Sequence, residues 1–248
     1  MSSEIMPTKA EPSDRSILKN LAASSAGRLV GLLLLCQLVA ALTLPFILTK
    51  AVTVGSPAFL TAVSEQSFQI RFAVLLAFAG SALTIWLGIC MFEVLRVYSQ
   101  PVGILLLIVC SISCIMDLVH TATILSMLSI SNSFLASGGT NTELYQVVGS
   151  AVASVRRSAH ITQLVGIAAW MFVFYTSMLR FKLIPPVLAG AGVIGVILQF
   201  TGVTLMMILG NRPIAEMALP LLPIEITVGT WLIIKGFNNS ASLTRPLV

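Results

Sequence analysis

Apolar residues in this chain come in long unbroken runs, and polar residues gather between the runs rather than alternating with them. Six runs reach spanning length: residues 29–48, 72–97, 102–127, 161–179, 187–209 and 214–234. About 20 apolar residues in a helix cross the ~30 Å hydrocarbon layer of a bilayer, where a helix satisfies its own backbone polar groups. The pattern predicts an all-α fold, a polytopic membrane helical bundle with six transmembrane helices. The sixth run is interrupted: ALPLLPIE sets Pro220 and Pro223 just ahead of Glu225. Two missing backbone donors predict a kinked last helix. The fifth run carries Ala191, Gly195 and Gly202, small residues whose spacing lets another backbone approach.

Outside the runs, residues 1–25 mix both charge signs with prolines and serines and hold too little apolar surface to fold alone. They read as a flexible tail. A polar lead of this length before a spanning run differs from a signal peptide, so the first run reads as an uncleaved helix. The membrane domain is then 26–237, followed by a short tail at 238–248. Two connections are long, 50–71 and 128–158. In the first, Ser56 and Pro57 read as the cap and first position of a short interfacial helix with Phe59, Leu60 and Val63 on one face. In the second, SNSFLASGGTN reads as a loop. After it, Thr140 and Glu143 have capping-box spacing and open an amphipathic helix over 143–155, lying on the membrane or over the mouth of the bundle. Short turns join the runs at 98–101 and 181–186.

Composition agrees with a membrane reading. Hydrophobic residues make up 57% and charged residues 9% of the 248, against the roughly 25% charged share of a soluble domain. The net charge of +5 does not point to nucleic acid, because the 14 Lys and Arg stand in ones and twos at the ends of the runs. Nine of them (Lys9, Arg15, Lys19, Arg28, Arg96, Arg180, Lys182, Lys235, Arg245) fall on the side of the N-terminus and five (Lys50, Arg71, Arg156, Arg157, Arg212) on the other. The positive-inside bias then places both termini in the cytoplasm. Cys36, Cys90, Cys110 and Cys114 all lie in apolar runs and suggest no disulfide framework.

Ionisable groups inside the runs change the picture most, since a charge at the bilayer centre costs about 2.5 to 3.5 kcal/mol on insertion scales. In the third run Cys110, Ser113, Cys114, Asp117, His120 and Thr121 share a stripe of about 120°. Counting rise from helix midpoints puts Glu225 near the centre, with Asp117 roughly 3 Å, His120 roughly 7 Å and His160 roughly 15 Å towards the outer side. Asp117, His120, His160 and Glu225 are therefore candidates for one polar pocket opening outward. The least demanding use of the spacing is structural: Asp117 and His120 satisfy each other, and Glu225 is protonated or bonded to a hydroxyl. Glu93 and Arg96, three apart, read as a local ion pair.

Four segments resemble a known bacterial family of six-helix integral membrane proteins described as a domain of unknown function. They are AGRLVGLLLL at 26–35, HITQLVGIAAW at 160–170, KLIPPVLAG at 182–190 and IEITVGTWLIIKG at 224–236. The resemblance implies a bacterial inner-membrane location and assigns no catalytic residue, metal or cofactor.

Three functions stay open on the residues alone. A small-solute or proton-coupled transporter would use Asp117, Glu225 and His120 as a relay. A metal-dependent membrane enzyme would take His120, His160 and a carboxylate as ligands, although no HExxH-type motif is present. A non-catalytic assembly protein needs only the packing. The bilayer is the one partner the sequence names; a small molecule or ion is compatible with the polar stripe, and oligomeric state, cofactor and metal are left unspecified.

Overall fold

The computed structural model describes residues 12–48, 59–209 and 215–238. It is built from α1 (Pro12–Leu48), α2 (Phe59–Glu65), α3 (Ser67–Leu95), α4 (Gln100–Ala136), α5 (Thr142–Arg180), α6 (Pro186–Leu209), a 3-10 turn at Ala215–Ala218, and α7 (Leu221–Lys235). Six helices are long and apolar enough to cross a membrane, α7 counting with the turn before it. The protein is a multi-pass membrane protein. Each long helix packs against the next in chain order, and α7 returns to α1, so the crossings close into a ring.

Short turns join α3 to α4 and α5 to α6 where the sequence places them, at one end of the ring, the turn end. Pro101 and Pro186 open their helices, positions where a missing N–H costs nothing. In the second turn Lys182 adopts φ 55°. The Leu183 N–H donates to the Met178 carbonyl (3.0 Å), and the Asn238 N–H donates to the Leu183 carbonyl (2.7 Å), which ties the chain beyond α7 to this turn. Glu93 and Arg96 pair at 2.6 Å.

At the opposite end, the hairpin end, the structure corrects the expected loop and amphipathic helix of 128–158. Helices α4 and α5 run on as one antiparallel hairpin, each roughly 55–58 Å long at 1.5 Å per residue. Serines and Asn132 were read as loop residues, yet they find partners that hold the helix. Ser131 donates to the Leu60 carbonyl, and Ser64 donates to Asn132 (3.1 Å). Chain reversal waits for Gly138 and Gly139, both at positive φ (66° and 74°), a conformation glycine adopts without penalty. The capping box does not form either: Asn141, at φ 56°, precedes the helix without a side-chain cap, and Thr140 bonds back to the Ser137 carbonyl (2.9 Å).

Two other expectations shift by small amounts. Helix α1 begins at Pro12, inside the segment read as a tail. The short helix after the first crossing is α2, whose Leu60 and Val63 are buried, while Ser56 and Pro57 lie outside the described residues. In the last crossing the break falls at Leu219–Pro220, between the 3-10 turn and α7, and the last helix is bent by 26°. Pro220 caps α7 and Pro223 stands in its first turn, where the N–H groups have no intrahelical acceptor. Thr227 donates to the Pro223 carbonyl (2.7 Å).

Two apolar cores result. The larger one gathers around Trp170, Phe174 and Tyr175 of α5, whose rings meet edge to face at 6.2 and 5.2 Å. Glycines bring backbones together around it. A Cβ on Gly31 would stand 2.6 Å from the Gly229 carbonyl oxygen, and one on Gly27 would stand 2.4 Å from the Phe237 nitrogen, so α1 and α7 touch at backbone level. On α6 the closest approach is at Gly192, one residue from Ala191: the Tyr175 ring occupies the space of its missing Cβ. The smaller core joins Leu60, Val63, Ile70 and Val74 to Ile124, Met127, Leu128, Phe134 and Ala153 at the hairpin end.

Candidate functional site

Between the two cores lies a layer of polar side chains, and helix register explains why they meet. A Cβ on Gly88 would stand 3.1 Å from that of Cys110, which sets α3 tightly on α4. Seven residues along each helix, two full turns, the same antiparallel register brings Ser81 to Asp117. Ser81 Oγ donates to Asp117 Oδ2 at 2.8 Å. On the other side of α4, Gly166 lets α5 approach to within 3.2 Å of the Ser113 Cα, counted from its missing Cβ. Towards the hairpin end that register sets Gln163 beside Asp117, and His160 beside His120.

Gln163 Nε2 donates to Asp117 Oδ1, and Gln163 Oε1 lies 3.0 Å from His160 Nδ1. An ionised carboxylate only accepts, so the amide must turn its NH2 to Asp117 and its oxygen to His160. That orientation makes His160 the Nδ1–H donor and leaves its Nε2 with a free lone pair whenever the ring is neutral. The His160 ring lies against that of His120, centroids 4.9 Å apart with 37° between the planes. His120 is buried and its Nε2 has no partner among the described residues. One turn before His160 on the same face of α5 stands Arg156, whose Nε is also buried without a partner.

Ser81, Asp117, Gln163, His160 and His120 thus form one row across α3, α4 and α5. Hydrogen bonds to a charged group contribute about 1.5 to 3 kcal/mol each, so the two donors on Asp117 offset much of what a carboxylate at this depth costs. Ser113 and Thr121 border the row and are buried. Thr121 donates to the Asp117 carbonyl at 2.7 Å, one turn back.

Of the four residues singled out in the sequence, Asp117, His120 and His160 come together. Glu225 stands elsewhere: it is buried on α7, which packs on α1 and α6, and it makes no hydrogen bond with a described residue. Its polar neighbour is Tyr175, whose hydroxyl is likewise unpartnered. The expected mutual satisfaction of Asp117 and His120 does not occur, because Ser81 and Gln163 take both carboxylate oxygens.

Gln163 escaped the sequence reading. Its signal was present in HITQ, where His160 and Gln163 are three apart and share a face at the start of an apolar run. Among the described residues no three of His, Cys, Asp and Glu stand together as metal ligands. A groove at this end, bordered by Arg71, Leu125, Ser129 and Asn132, lies outside the row.

No curated protein and no solved structure matches this chain. A family model does, over residues 29–236, which spans every helix of the ring. The chain belongs to the family described as Domain of unknown function (DUF4386).

Proposed function

We propose that this protein moves protons, or a small polar solute together with protons, across a bacterial inner membrane, with Asp117, Gln163, His160 and His120 as the working residues. The observation that carries this reading is the continuous row of polar side chains running from Ser81 through Asp117 and Gln163 to the paired imidazoles. Imidazole and carboxylate are the side chains that exchange protons near neutral pH once their surroundings tune them. Asp117 holds the amide of Gln163 in one orientation, and the amide presents His160 with its Nε2 free to take up a proton. His120 Nε2 is buried and unpartnered in the adjoining ring.

In this reading the membrane domain spans 26–237 with both termini cytoplasmic, and the hairpin end faces outward, as the distribution of Lys and Arg supports. A metal-dependent enzyme is less well supported, because two imidazoles beside an arginine make a poor cation site and Asp117 is already engaged. Reporter fusions after residues 98, 182 and 237 should read cytoplasmic and one after 138 should read the opposite; the reverse pattern discards the orientation. For the activity, the protein is reconstituted in liposomes with a trapped pH dye. Asp117→Asn and His160→Gln should each lower proton flux at least tenfold while the folded yield is unchanged. Flux equal to that of empty liposomes, or equal in wild type and variants, rejects the proposal.

A further inference from the structure

The unsatisfied groups at the open edge of the row share one chemistry. His120 Nε2 is buried and unpartnered in a side chain only 9% exposed. Arg156 Nε, also buried, has no acceptor, and Arg156 and His160 are the charged neighbours of His120. Arg156 donates in every state, and each imidazole nitrogen facing it donates once its ring is protonated. Asp117, the nearest acid, has an oxygen on each of Ser81 and Gln163; its charge acts on His160 and is not among those acting on His120 or Arg156. Arg157 adds a further positive charge beside Arg156. Arg156 and His120 have only basic charged neighbours, a setting that repels a cation and satisfies an anion, most strongly one with two or more oxygens to share among separate donors.

We infer that His120, His160 and Arg156 together bind a small oxyanion, of the carboxylate or phosphate type, where α4 meets α5. This rests on the transport reading only in naming what the site would carry with its protons; binding itself needs no flux. Two sources supply such a group, a free solute and the headgroup of a phospholipid, and both present the same oxygens to the same donors.

Equilibrium binding in detergent tests it. The full-length protein is titrated with sodium phosphate and sodium acetate at pH 6, with sodium chloride at matched ionic strength as control, while thermal unfolding is followed. Either oxyanion should raise the melting temperature saturably. Arg156→Gln should weaken the apparent affinity tenfold or more, Arg156→Lys should retain part of it, and Arg157→Gln should retain most. Arg156 has no partner at its buried nitrogen to lose, so these variants should fold, which circular dichroism and gel filtration verify. Phospholipid measured by mass spectrometry in the same samples identifies the source: lipid bound in molar ratio to wild type, displaced by phosphate and lost in Arg156→Gln, means a headgroup, and saturable binding without it means a free anion. A shift matched by chloride, or one that survives Arg156→Gln unchanged, overturns the inference. If binding holds while liposome flux fails, only the transport reading falls; if flux holds while binding fails, only the oxyanion falls.

Discussion

The two ends of the ring are held by different means. At the turn end, backbones touch: Gly27 and Gly31 of α1 lie against Gly229, Gly236 and Phe237, and Gly192 receives the ring of Tyr175. At the hairpin end, a small set of side chains and two hydroxyl bonds fasten α2 to α4, with Leu60, Val63, Met127 and Phe134 in the middle. Where lipid surrounds the protein, burying apolar surface adds little, because lipid tails are as apolar as leucine. Close approach through small residues then supplies the dispersion contacts that hold helices together. Beyond the hydrocarbon the hydrophobic effect returns, and an ordinary apolar cluster suffices. The polar row sits between the two cores, braced from the turn end by Gly88 and Gly166.

Substitutions that cross this difference should rank accordingly. The largest effect is expected from Gly31→Leu. Even an alanine Cβ there meets the Gly229 oxygen at 2.6 Å and the Ile233 nitrogen at 2.9 Å, both backbone atoms that cannot swing aside. Overpacking of this kind costs about 3 kcal/mol or more, and the folded fraction on gel filtration should collapse. A variant that elutes and melts like wild type would show that α1 and α7 are not tightly apposed.

Leu60→Ala comes next, at about 2 to 4 kcal/mol for a fully buried leucine, and its effect should be local. Hydrogen exchange should rise across α2 and the distal parts of α4 and α5 while α6 and α7 stay protected. Uniform loss of protection would mean that the two cores unfold as one. Smaller again is Gln163→Leu, which removes one donor from Asp117 and the acceptor from His160. A loss of about 1 to 3 kcal/mol is expected, together with a changed pH dependence of any flux. Ser131→Ala should cost only about 1 kcal/mol, read as a lower melting temperature with α2 exchange alone accelerated.

Much of this was legible in the chain, for physical reasons that also mark where reading stops. Run length and apolarity found the crossings and both short turns, since the bilayer demands continuous helices of known length. Helical periodicity found the face shared by Asp117 and His120. Apolarity alone starts α5 near Ile161 and sets His160 at the interface, whereas the helix begins at Thr142 and brings the His160 ring against that of His120. Ser131 and Asn132 look like loop residues until α2 provides partners for them, and no local rule foresees a partner about seventy residues away. Glu225 was grouped with the others by depth alone. Depth does not tell which neighbour a helix has, and the closure of α7 on α1 turns Glu225 towards Tyr175 instead.

That closure also governs how the molecule can be made. Of the six crossings α1 is made before the others, and the face it presents through Gly27 and Gly31 fits a segment that follows roughly two hundred residues later in the chain. Until α7 arrives, α3 is the main packing partner of α1 among the described helices, and the glycine side of α1 stays uncovered. A chain halted before Gly229 therefore keeps an unfilled seam along α1.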